Sequence, residues 1–292
     1  MTFRGLDYEE VAASSALADD IEYLWMVGAK APLPAPLTRP SPGKSSLDLI
    51  ITLDGHFCAE AERFLFGSRA QGAPYLVGPL SASATLHSEG RCTAVGLRFR
   101  PGRGQAFFGF PMHDVTDRVV DLAAVESPAL VRRLAGAACD AQTPVGRARA
   151  MERVLLDFRS RNGRRTCGDR ISAAIELIER SRGTLEIGEL ACSLDTGPRQ
   201  LERLFRESIG VSPKLACRIE RVRHAMRLVP LGRPANWADI VHACGFYDQA
   251  HFIREFRAIA GMTPGQFAAG CSPRAPTSHF YNTRGTASAS VG

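Results

Sequence analysis

The sequence predicts an α+β protein in which a β-rich half is followed by an all-α half. Short apolar runs separated by Gly- and Pro-rich breaks fill the first 125 residues, a pattern typical of strands. From about residue 128 onward the apolar residues recur at helical spacing. The helical half also contains one phrase twice, RLFRESIGVSP at 203–213 and REFRAIAGMTP at 254–264. Such a repeat is one supersecondary unit used twice, so we expect two copies of one fold there.

Three apolar runs in the first half, 47–53, 75–77 and 93–99, predict strands. The first run stops at Asp54-Gly55, a pair typical of hairpin turns. Many short strands joined by such turns indicate a β-barrel or sandwich. The proline-rich segment 31–46 is expected to form no regular structure.

A helix is predicted at the end of the first half, where four apolar residues recur at i, i+3, i+4 and i+7. They are Met151, Val154, Leu155 and Phe158. We expect this helix to serve dimerisation or to connect the two halves. The basic segment 161–165 follows it and marks the predicted domain boundary between residues 163 and 164. Residues 271–292 are rich in Ser, Thr, Pro and Gly, which predicts a disordered tail.

Composition narrows the class of protein. With 45% hydrophobic and 23% charged residues the chain has the composition of a soluble globular protein, and no apolar run approaches the roughly 20 residues of a membrane span. The first residues lack the basic and apolar regions of a secretory signal, and the eight cysteines include no C-x-x-C pair. We therefore expect a cytoplasmic protein with reduced thiols, no zinc site and no membrane partner.

The positive charge of the chain lies with the repeat. Residues 1–163 contain 18 basic and 18 acidic residues, whereas residues 164–270 contain 16 basic and 12 acidic ones. This surplus is compatible with nucleic-acid binding without requiring it.

Each copy of the repeat predicts a short helix, a tight turn and a second helix with a basic outer face, which is the pattern of a helix-turn-helix. In the first copy the second helix begins at Pro198, a residue suited to the first helical position. At the constant offset of 51 residues, Leu201 pairs with Phe252 and Leu190 pairs with Val241. The outward residues of the second helices are Arg199, Gln200, Arg203 and Arg206 in the first copy and Gln249, His251 and Arg254 in the second.

Those outward residues are suited to reading base pairs. The second helix of a helix-turn-helix enters the major groove, where arginine can hold guanine and glutamine can hold adenine through two hydrogen bonds. Residues 212–229 predict one long helix between the copies, and such a helix spans about 25 Å. That length suits two reading helices near the roughly 34 Å between successive major grooves on one face of a duplex. An all-helical domain with merely solvated arginines is the alternative, and two copies with the same outward chemistry weigh against it.

Residues 184–267 resemble the DNA-binding domain of the AraC/XylS transcription regulators. The resemblance rests above all on 240–267, which fits the signature G-F-x-D-Q-x-x-F-x-R-x-F-[KR]-x-x-x-G-x-[ST]-P. It implies two helix-turn-helices joined by a long helix, with the two outward faces given above directed at DNA. Gly197 stands where the family commonly has a serine before Pro198, so the first reading helix has a weaker cap, at a cost of about a few tenths of a kcal/mol.

Four segments of the first half, 48–50, 77–79, 95–102 and 117–122, resemble the cupin-like sensor region of one branch of these regulators. The resemblance implies a cupin-like sensor or dimerisation domain at 1–163 and a DNA-binding domain at 164–270. The implied partners are double-stranded promoter DNA, a small-molecule effector that the sequence does not identify, RNA polymerase, and a second copy of the chain in a homodimer. We expect no catalytic residue, no cofactor and no metal.

Two alternatives stay open. In the first, a metal-dependent cupin-type enzyme is fused to a DNA-binding module, with His56, His87 and His113 as candidate ligands, although no H-x-H pair or following Glu accompanies them at usable spacing. In the second, the protein binds DNA constitutively and its N-terminal domain only dimerises.

Aromatic and basic residues of the first half are candidates for an effector pocket. They are Tyr23, Trp25, Arg98 and Arg100. Core packing of the aromatic residues and exposure of the arginines is the simpler interpretation.

Overall fold

The computed structural model describes residues 2–3, 6–61, 64–66, 71–163, 168–229 and 235–270. The predicted tail at 271–292 and residues 164–167, next to the predicted domain boundary, lie outside the described residues. The strands are β1 (Thr2–Phe3), β2 (Leu6–Val11), β3 (Ile21–Ala29), β4 (Leu37–Ser41), β5 (Asp48–Ala61), β6 (Phe64–Phe66), β7 (Pro74–Val77), β8 (Ala84–Phe99) and β9 (Val119–Asp121). The α-helices are α1 (Arg103–Phe108), α2 (Pro128–Asp140), α3 (Pro144–Asn162), α4 (Asp169–Arg180), α5 (Ile187–Ser193), α6 (Pro198–Ser208), α7 (Pro213–Leu228), α8 (Trp237–Ala243), α9 (Gln249–Ala260) and α10 (Pro264–Gly270). Strands followed by helices confirm the predicted α+β class.

The described strands form one antiparallel sheet in the order β1-β2-β3-β8-β5-β7-β9, with β4 paired to β8 and β6 paired to β5. Strands β5 and β8 pair along almost their whole length. On its other edge β8 pairs first with β4 and then with β3, so these two strands lie end to end. Side chains from β2, β3, β4, β5, β7, β8 and β9 line one common cavity, because the sheet wraps around it.

Two predictions about this sheet are wrong. Asp54-Gly55 is not a hairpin turn, because β5 continues through it with a shift of register against β8. Gly55 has a φ of 74°, and a Cβ there would overlap the Arg91 carbonyl, so the pair forms a β-bulge that requires glycine. The segment 31–46 contains β4 and is not irregular throughout. Pro40 is tolerated in β4 because this strand pairs with β8 alone among the strands that the structure describes.

One face of the sheet packs against α1, α2 and α3. Leu49 of β5 and Leu97 of β8 are fully buried in this core, together with Met151 and Leu155 of α3. Phe158 stacks on Phe107 of α1 with ring centroids 5.6 Å apart. The apolar stripe of α3 therefore completes the core of its own half, which corrects the expectation that it serves dimerisation or connects the halves.

The helical half contains two apolar cores that share α7. Ala216 and Cys217 belong to the core of α4, α5 and α6, whereas Ile219 and Val222 belong to the core of α8, α9 and α10. The predicted long helix at 212–229 is confirmed, and α7 is called the linking helix below. None of the described helices combines the length and the apolar character needed to cross a bilayer.

Candidate nucleic-acid interface

The first helix-turn-helix consists of α5 and α6. Leu190 of α5 and Phe205 of α6 are fully buried in one core, which holds the two helices together. The turn between them contains Asp195 at a φ of 46°, a left-handed conformation that Asp tolerates better than most residues. Helix α6 then begins at Pro198, and Gly197 before it supplies no side-chain cap, as predicted.

The predicted reading residues of α6 all lie on its exposed face, namely Arg199, Gln200, Arg203 and Arg206. None of the ion pairs formed between described residues involves these three arginines. Their guanidinium groups are therefore available to phosphates and to base edges, which arginine can hold bidentately.

The second helix-turn-helix consists of α8 and α9. Asp248 caps α9, because its carboxylate accepts a hydrogen bond from the His251 backbone N–H at 2.6 Å. Gln249 and Arg254 are exposed, as predicted. His251 is half-buried, and its ring packs edge-on against Phe246 with centroids 5.7 Å apart. Its imidazole therefore supports the turn as well as facing outward.

The second turn is one residue longer than the first. The Thr196 backbone N–H donates to the Ala191 carbonyl at 3.1 Å, and the Phe246 N–H donates to the Val241 carbonyl at 3.0 Å. These two bonds are equivalent at an offset of 50 residues, whereas the reading helices align at 51. The additional residue is Tyr247.

This insertion corrects the predicted pairing of Leu190 with Val241. The left-handed residues of the two turns, Asp195 at a φ of 46° and Gly245 at 66°, are also equivalent at an offset of 50. Leu190 therefore corresponds to Ile240, and both side chains are buried. The predicted pairing carried the offset of 51 residues from the second helices back across the turn. Because Tyr247 is inserted in the second turn, the offset before the turn is 50 residues.

Two outward residues near the second reading face, Tyr247 and Ile253, escaped the sequence analysis, and a third, Arg257, is the repeat partner of Arg206 but was not counted among the reading residues. Tyr247 is 92% exposed directly before the cap of α9, and Ile253 is 37% exposed on α9 itself. Arg257 is exposed one turn beyond Arg254. The repeat compared positions shared by both copies, so it could not find an inserted tyrosine or an apolar residue on one copy only.

An ion pair ties the second reading helix to the linking helix. Arg218 of α7 donates two hydrogen bonds to the Glu255 carboxylate of α9, at 2.6 and 3.0 Å. A bidentate pair of this kind fixes direction as well as distance. The orientation of α9 relative to α7 is therefore held by a polar contact in addition to the apolar core.

The sheet half contacts the C-terminal end of α6. The Thr116 hydroxyl donates to the Gly210 carbonyl at 2.7 Å, and His113 Nδ1 lies 3.3 Å from the Arg206 carbonyl oxygen. Gly210 has a φ of 84°, and a Cβ there would lie 2.9 Å from the Met112 carbonyl oxygen. Glycine is thus required both by the left-handed backbone and by the close approach of the sheet half.

The sheet half contacts α9 at the corresponding end. The Gly43 N–H donates to the Ile259 carbonyl at 2.7 Å, and the Ser83 N–H donates to the Ala258 carbonyl at 3.2 Å. These carbonyls lie in the last helical turn, where no N–H of the helix itself reaches them. Gly261 follows at a φ of 76°. Each glycine of the repeated phrase therefore ends a reading helix at a contact with the sheet half.

The histidines considered as metal ligands contact unrelated partners. His87 lies 3.2 Å from the Thr38 hydroxyl and 3.7 Å from the Glu60 carboxylate, whereas His113 lies against α6. The side chain of His56 is outside the described atoms. Within the described ranges no group of three or more His, Cys, Asp or Glu residues is placed to hold a metal ion.

Two family models match the chain. Residues 190–285 match a model described as a helix-turn-helix domain, and residues 9–121 match a domain of unknown function, DUF6597. The first match begins within α5 and covers the rest of both helix-turn-helices and the linking helix, and the second covers the sheet from β3 to β9.

Curated relatives are similar over the C-terminal part. The HTH-type transcriptional regulator GlxA of Rhizobium meliloti (strain 1021) is 38% identical over 88 residues. The arabinose operon regulatory protein of Escherichia coli (strain K12) is 30% identical over 89 residues. The regulatory protein ada of Salmonella typhimurium (strain LT2) is 30% identical over 102 residues. These matches cover 30–35% of this chain and 26–30% of each relative, so the aligned part spans less than a third of the relatives' length.

Solved structures are similar at low sequence identity. ToxT of Vibrio cholerae, in a crystal structure with a bound unsaturated fatty acid, has a TM-score of 0.48 at 10% identity, covering 85% of this chain and 98% of that one. The C-terminal domain of AraT, a response regulator of Geobacillus stearothermophilus, has a TM-score of 0.32 at 22% identity, covering 35% of this chain and 84% of that one.

Two helix-turn-helix units with exposed basic faces, joined by one helix, form the arrangement that is typical of a DNA-binding domain. The family match and the curated relatives specify which kind of DNA-binding domain this arrangement resembles. The C-terminal part of this chain is a helix-turn-helix domain, and its predicted resemblance to the DNA-binding domain of the AraC/XylS regulators is confirmed.

Proposed function

We propose that the whole chain is a sequence-specific transcription regulator that inserts α6 and α9 into two adjacent major grooves of promoter DNA. The observation that carries this proposal is the pair of exposed basic faces on the two reading helices, both anchored to the linking helix. A linking helix of 16 residues spans about 24 Å. That distance is of the order of the roughly 34 Å between successive major grooves on one face of a duplex.

The reading residues are assigned to DNA by their position on these faces. Arg199, Gln200, Arg203 and Arg206 belong to α6, and Gln249, His251 and Arg254 belong to α9. Both sets begin in the first turn of their helix, which is the part that contacts base edges in helix-turn-helix proteins, and Arg206 lies in the last turn of α6. The two sets differ in chemistry, so one protomer should recognise two unlike blocks of sequence.

The sheet half is proposed to modulate DNA binding, with residues 1–163 as the sensor or dimerisation domain and 164–270 as the DNA-binding domain. Its contacts with the C-terminal ends of both reading helices support this role. A small molecule, dimerisation, or both would act through these contacts. Cytoplasmic location, contact with RNA polymerase and the absence of catalysis are parts of the same proposal.

Selection of bound duplexes from random sequence, followed by footprinting with the full chain, tests the reading mode. We expect protection of two unlike blocks roughly 10 base pairs apart, centre to centre. Protection of a single short block, or dependence on an inverted repeat within the site of one protomer, would contradict it.

Substitution of the reading arginines tests the assignment. Arg203→Ala and Arg254→Ala should each cost about 1–3 kcal/mol of DNA binding and relax specificity at one end of the site only. Arg153→Ala is the matched control, because Arg153 is an exposed arginine on α3 in the sheet half. Equal DNA affinities of all three variants and the unaltered protein would contradict the assignment of Arg203 and Arg254 to DNA contacts.

The enzyme alternative depends on a metal ion. Elemental analysis of the purified full chain decides it, since a stoichiometric transition metal would favour a cupin-type enzyme fused to a DNA-binding module.

A further inference from the structure

The sheet half contains a cavity of about 100 Å³ on the face opposite to α2 and α3. Ala94 and Arg98 of β8 face this cavity, while Val95 and Leu97 face the core, as the alternation along a strand requires. One water molecule needs about 10–15 Å³ measured in this way. The cavity therefore has room for a ligand of roughly eight to ten non-hydrogen atoms.

Five aromatic side chains contribute to its wall. They are Tyr8, Tyr23, Trp25, Phe57 and Tyr75. Gly96 allows the Trp25 indole to lie across β8, because a Cβ at this glycine would lie 2.5 Å from Trp25 Cζ2. Three of the residues considered from sequence, Tyr23, Trp25 and Arg98, do line the cavity, whereas the Arg100 guanidinium donates to the Ala18 carbonyl outside it.

The same wall contains more positive than negative groups. Of the described residues that line the cavity, the charged ones are three cations, Arg39, Lys44 and Arg98, and one carboxylate, Asp48. The Lys44 ammonium lies 2.5 Å from the Asp48 carboxylate, and Arg98 donates to the same carboxylate at 2.8 and 3.0 Å. Two buried cations thus share the Asp48 carboxylate, while Glu22 also favours the charged form of Arg98, and a further anion would offset the cost of burying the two cations.

The pKa values of these groups agree with that imbalance. Burial lowers the pKa of Lys44 to about 8, although Asp48 opposes the shift. Burial alone would raise the pKa of Asp48, but Arg98 and Lys44 hold it at about 2. The Asp48 carboxylate is therefore fully ionised, while the positive charge of Lys44 is only partly balanced by it.

The cavity wall is also the surface that holds α9. We call residues 40–44 and 80–83 the ledge, since the two segments are joined by a β-bridge between Lys44 and Leu80. Lys44 and Leu80 line the cavity, and the next ledge residue before Lys44, Gly43, donates its N–H to the Ile259 carbonyl. The ledge residue Ser83 donates its N–H to the carbonyl of Ala258, the residue before Ile259. Lys44, which lines the cavity, is thus the neighbour in sequence of Gly43, which contacts the end of α9. A displacement of Lys44 would therefore be transmitted to this contact.

We propose that this cavity binds a small organic anion with an apolar body of about one ring, and that its occupancy changes DNA binding through the ledge. The inference that the cavity binds such an anion depends on the cavity alone. The inferred coupling to DNA binding rests on the proposed DNA-binding function. The aromatic wall accepts the apolar body, and the Lys44–Arg98 pair accepts the anionic group.

Calorimetry with the full chain and a series of probes that differ only in charge tests the ligand class. Phenylacetate and cyclohexylacetate should bind with one-to-one stoichiometry. Phenylethylamine, with the opposite charge, and 2-phenylethanol, without charge, should bind at least about tenfold more weakly, since a charge-assisted hydrogen bond is lost. Equal binding of the amine, or no binding of either carboxylate, overturns the assignment.

Two variants locate the site. Lys44→Met removes the cation and should weaken phenylacetate binding about tenfold or more. Ala94→Leu adds a side chain that fills part of the cavity and should abolish binding, with the thermal midpoint unchanged or raised because it fills empty space. Should Lys44→Met fail to fold, Ala94→Leu still decides the location, and unchanged affinity in this variant would place the ligand elsewhere.

A matched pair of ledge variants tests the coupling. Phenylacetate should change the affinity of the full chain for its selected duplexes at least about fivefold, the lower end of typical coupling between sites. Ser83→Ala keeps the backbone N–H and should keep the effect, whereas Ser83→Pro removes that donor and should abolish the effect while phenylacetate still binds. DNA binding that phenylacetate leaves unchanged overturns the coupling but not the DNA-binding function. A protein that binds no DNA fails the proposed function, and calorimetry still decides the cavity.

Discussion

Replacing Gly210 by alanine should weaken the contact between the two halves of the protein. A left-handed conformation, here at a φ of 84°, costs an L-residue about 1–2 kcal/mol. The alanine Cβ would lie 2.9 Å from the Met112 carbonyl oxygen and would also overlap the Thr116 hydroxyl. That hydroxyl would lose its hydrogen bond to the Gly210 carbonyl, which costs about 0.5–1.5 kcal/mol. We therefore expect a loss of about 1.5–3.5 kcal/mol in the free energy of unfolding.

Gly245→Ala is the matched control for backbone strain. Gly245 has a φ of 66°, and its added Cβ would meet only a Thr184 methyl group of the same half, at 3.0 Å. Urea unfolding followed by fluorescence can report on each half separately, because Trp25 lies in the sheet half and Trp237 in the helical half. Trp25→Phe and Trp237→Phe backgrounds each leave one reporter, which avoids assuming a single two-state transition.

The comparison between these glycines decides the argument. Gly210→Ala should destabilise more than Gly245→Ala, and part of the additional cost should disappear in a Thr116→Ala background, where the overlap with the Thr116 hydroxyl and the hydrogen bond of that hydroxyl are both absent while the approach to the Met112 carbonyl remains. Equal costs for the two glycine variants would show that the contact at the end of α6 contributes no stability.

Further predictions concern the cap, the inserted residue, one histidine and the isolated helical half. Gly197→Ser should stabilise the protein by about 0.3–1 kcal/mol, since the backbone there is extended and an added Cβ meets nothing within 4 Å; a lower urea midpoint would contradict this. Tyr247→Ala should leave the fold intact and weaken DNA binding about two- to twelvefold through one lost phosphate contact, with Tyr247→Phe showing the same loss in a titration. Burial, with Arg182 and Arg227 nearby, lowers the pKa of His224 in the folded protein. The unfolded chain therefore binds more protons below a pH of about 6.5, so the free energy of unfolding should fall on acidification through that range. Urea unfolding at about pH 7.5 and about pH 5.5 measures this dependence, and His224→Gln should flatten it. A fragment beginning near Thr166 should fold and bind DNA, with affinity falling by about 0.9 log unit per log unit of salt for each phosphate contacted, and an unfolded or salt-insensitive fragment would count against the proposed boundary.

The helical half could be predicted closely because its information is local. The period of apolar residues places Phe205 and Phe256 in the cores, and the same period places Arg203 and Arg254 outside. The inserted Tyr247 escaped because a turn can lengthen without changing the pattern of the helices on either side.

The sheet half was harder to predict because its structure depends on distant partners. Gly55 forms a bulge only because the Arg91 carbonyl of β8 approaches it, and Pro40 belongs to a strand only because β8 offers an edge. The contacts of Gly43 and Ser83 with α9 are tertiary as well, so they cannot be predicted from the spacing of residues in the sequence.

The hydrogen bonds from the ledge to α9 bear on how such chains can be recombined. A chimera that joins α4–α10 to a foreign sensor would leave the Ala258 and Ile259 carbonyls without their donors. A new partner would have to present two backbone N–H groups at the same place, or the last turn of α9 would be completed by water alone. Exchange of sensors at this junction therefore preserves the hydrogen bonds at the end of α9 only when the incoming domain brings its own equivalent of Gly43 and Ser83, and the unit to exchange intact is the reading domain together with that short stretch of the sheet.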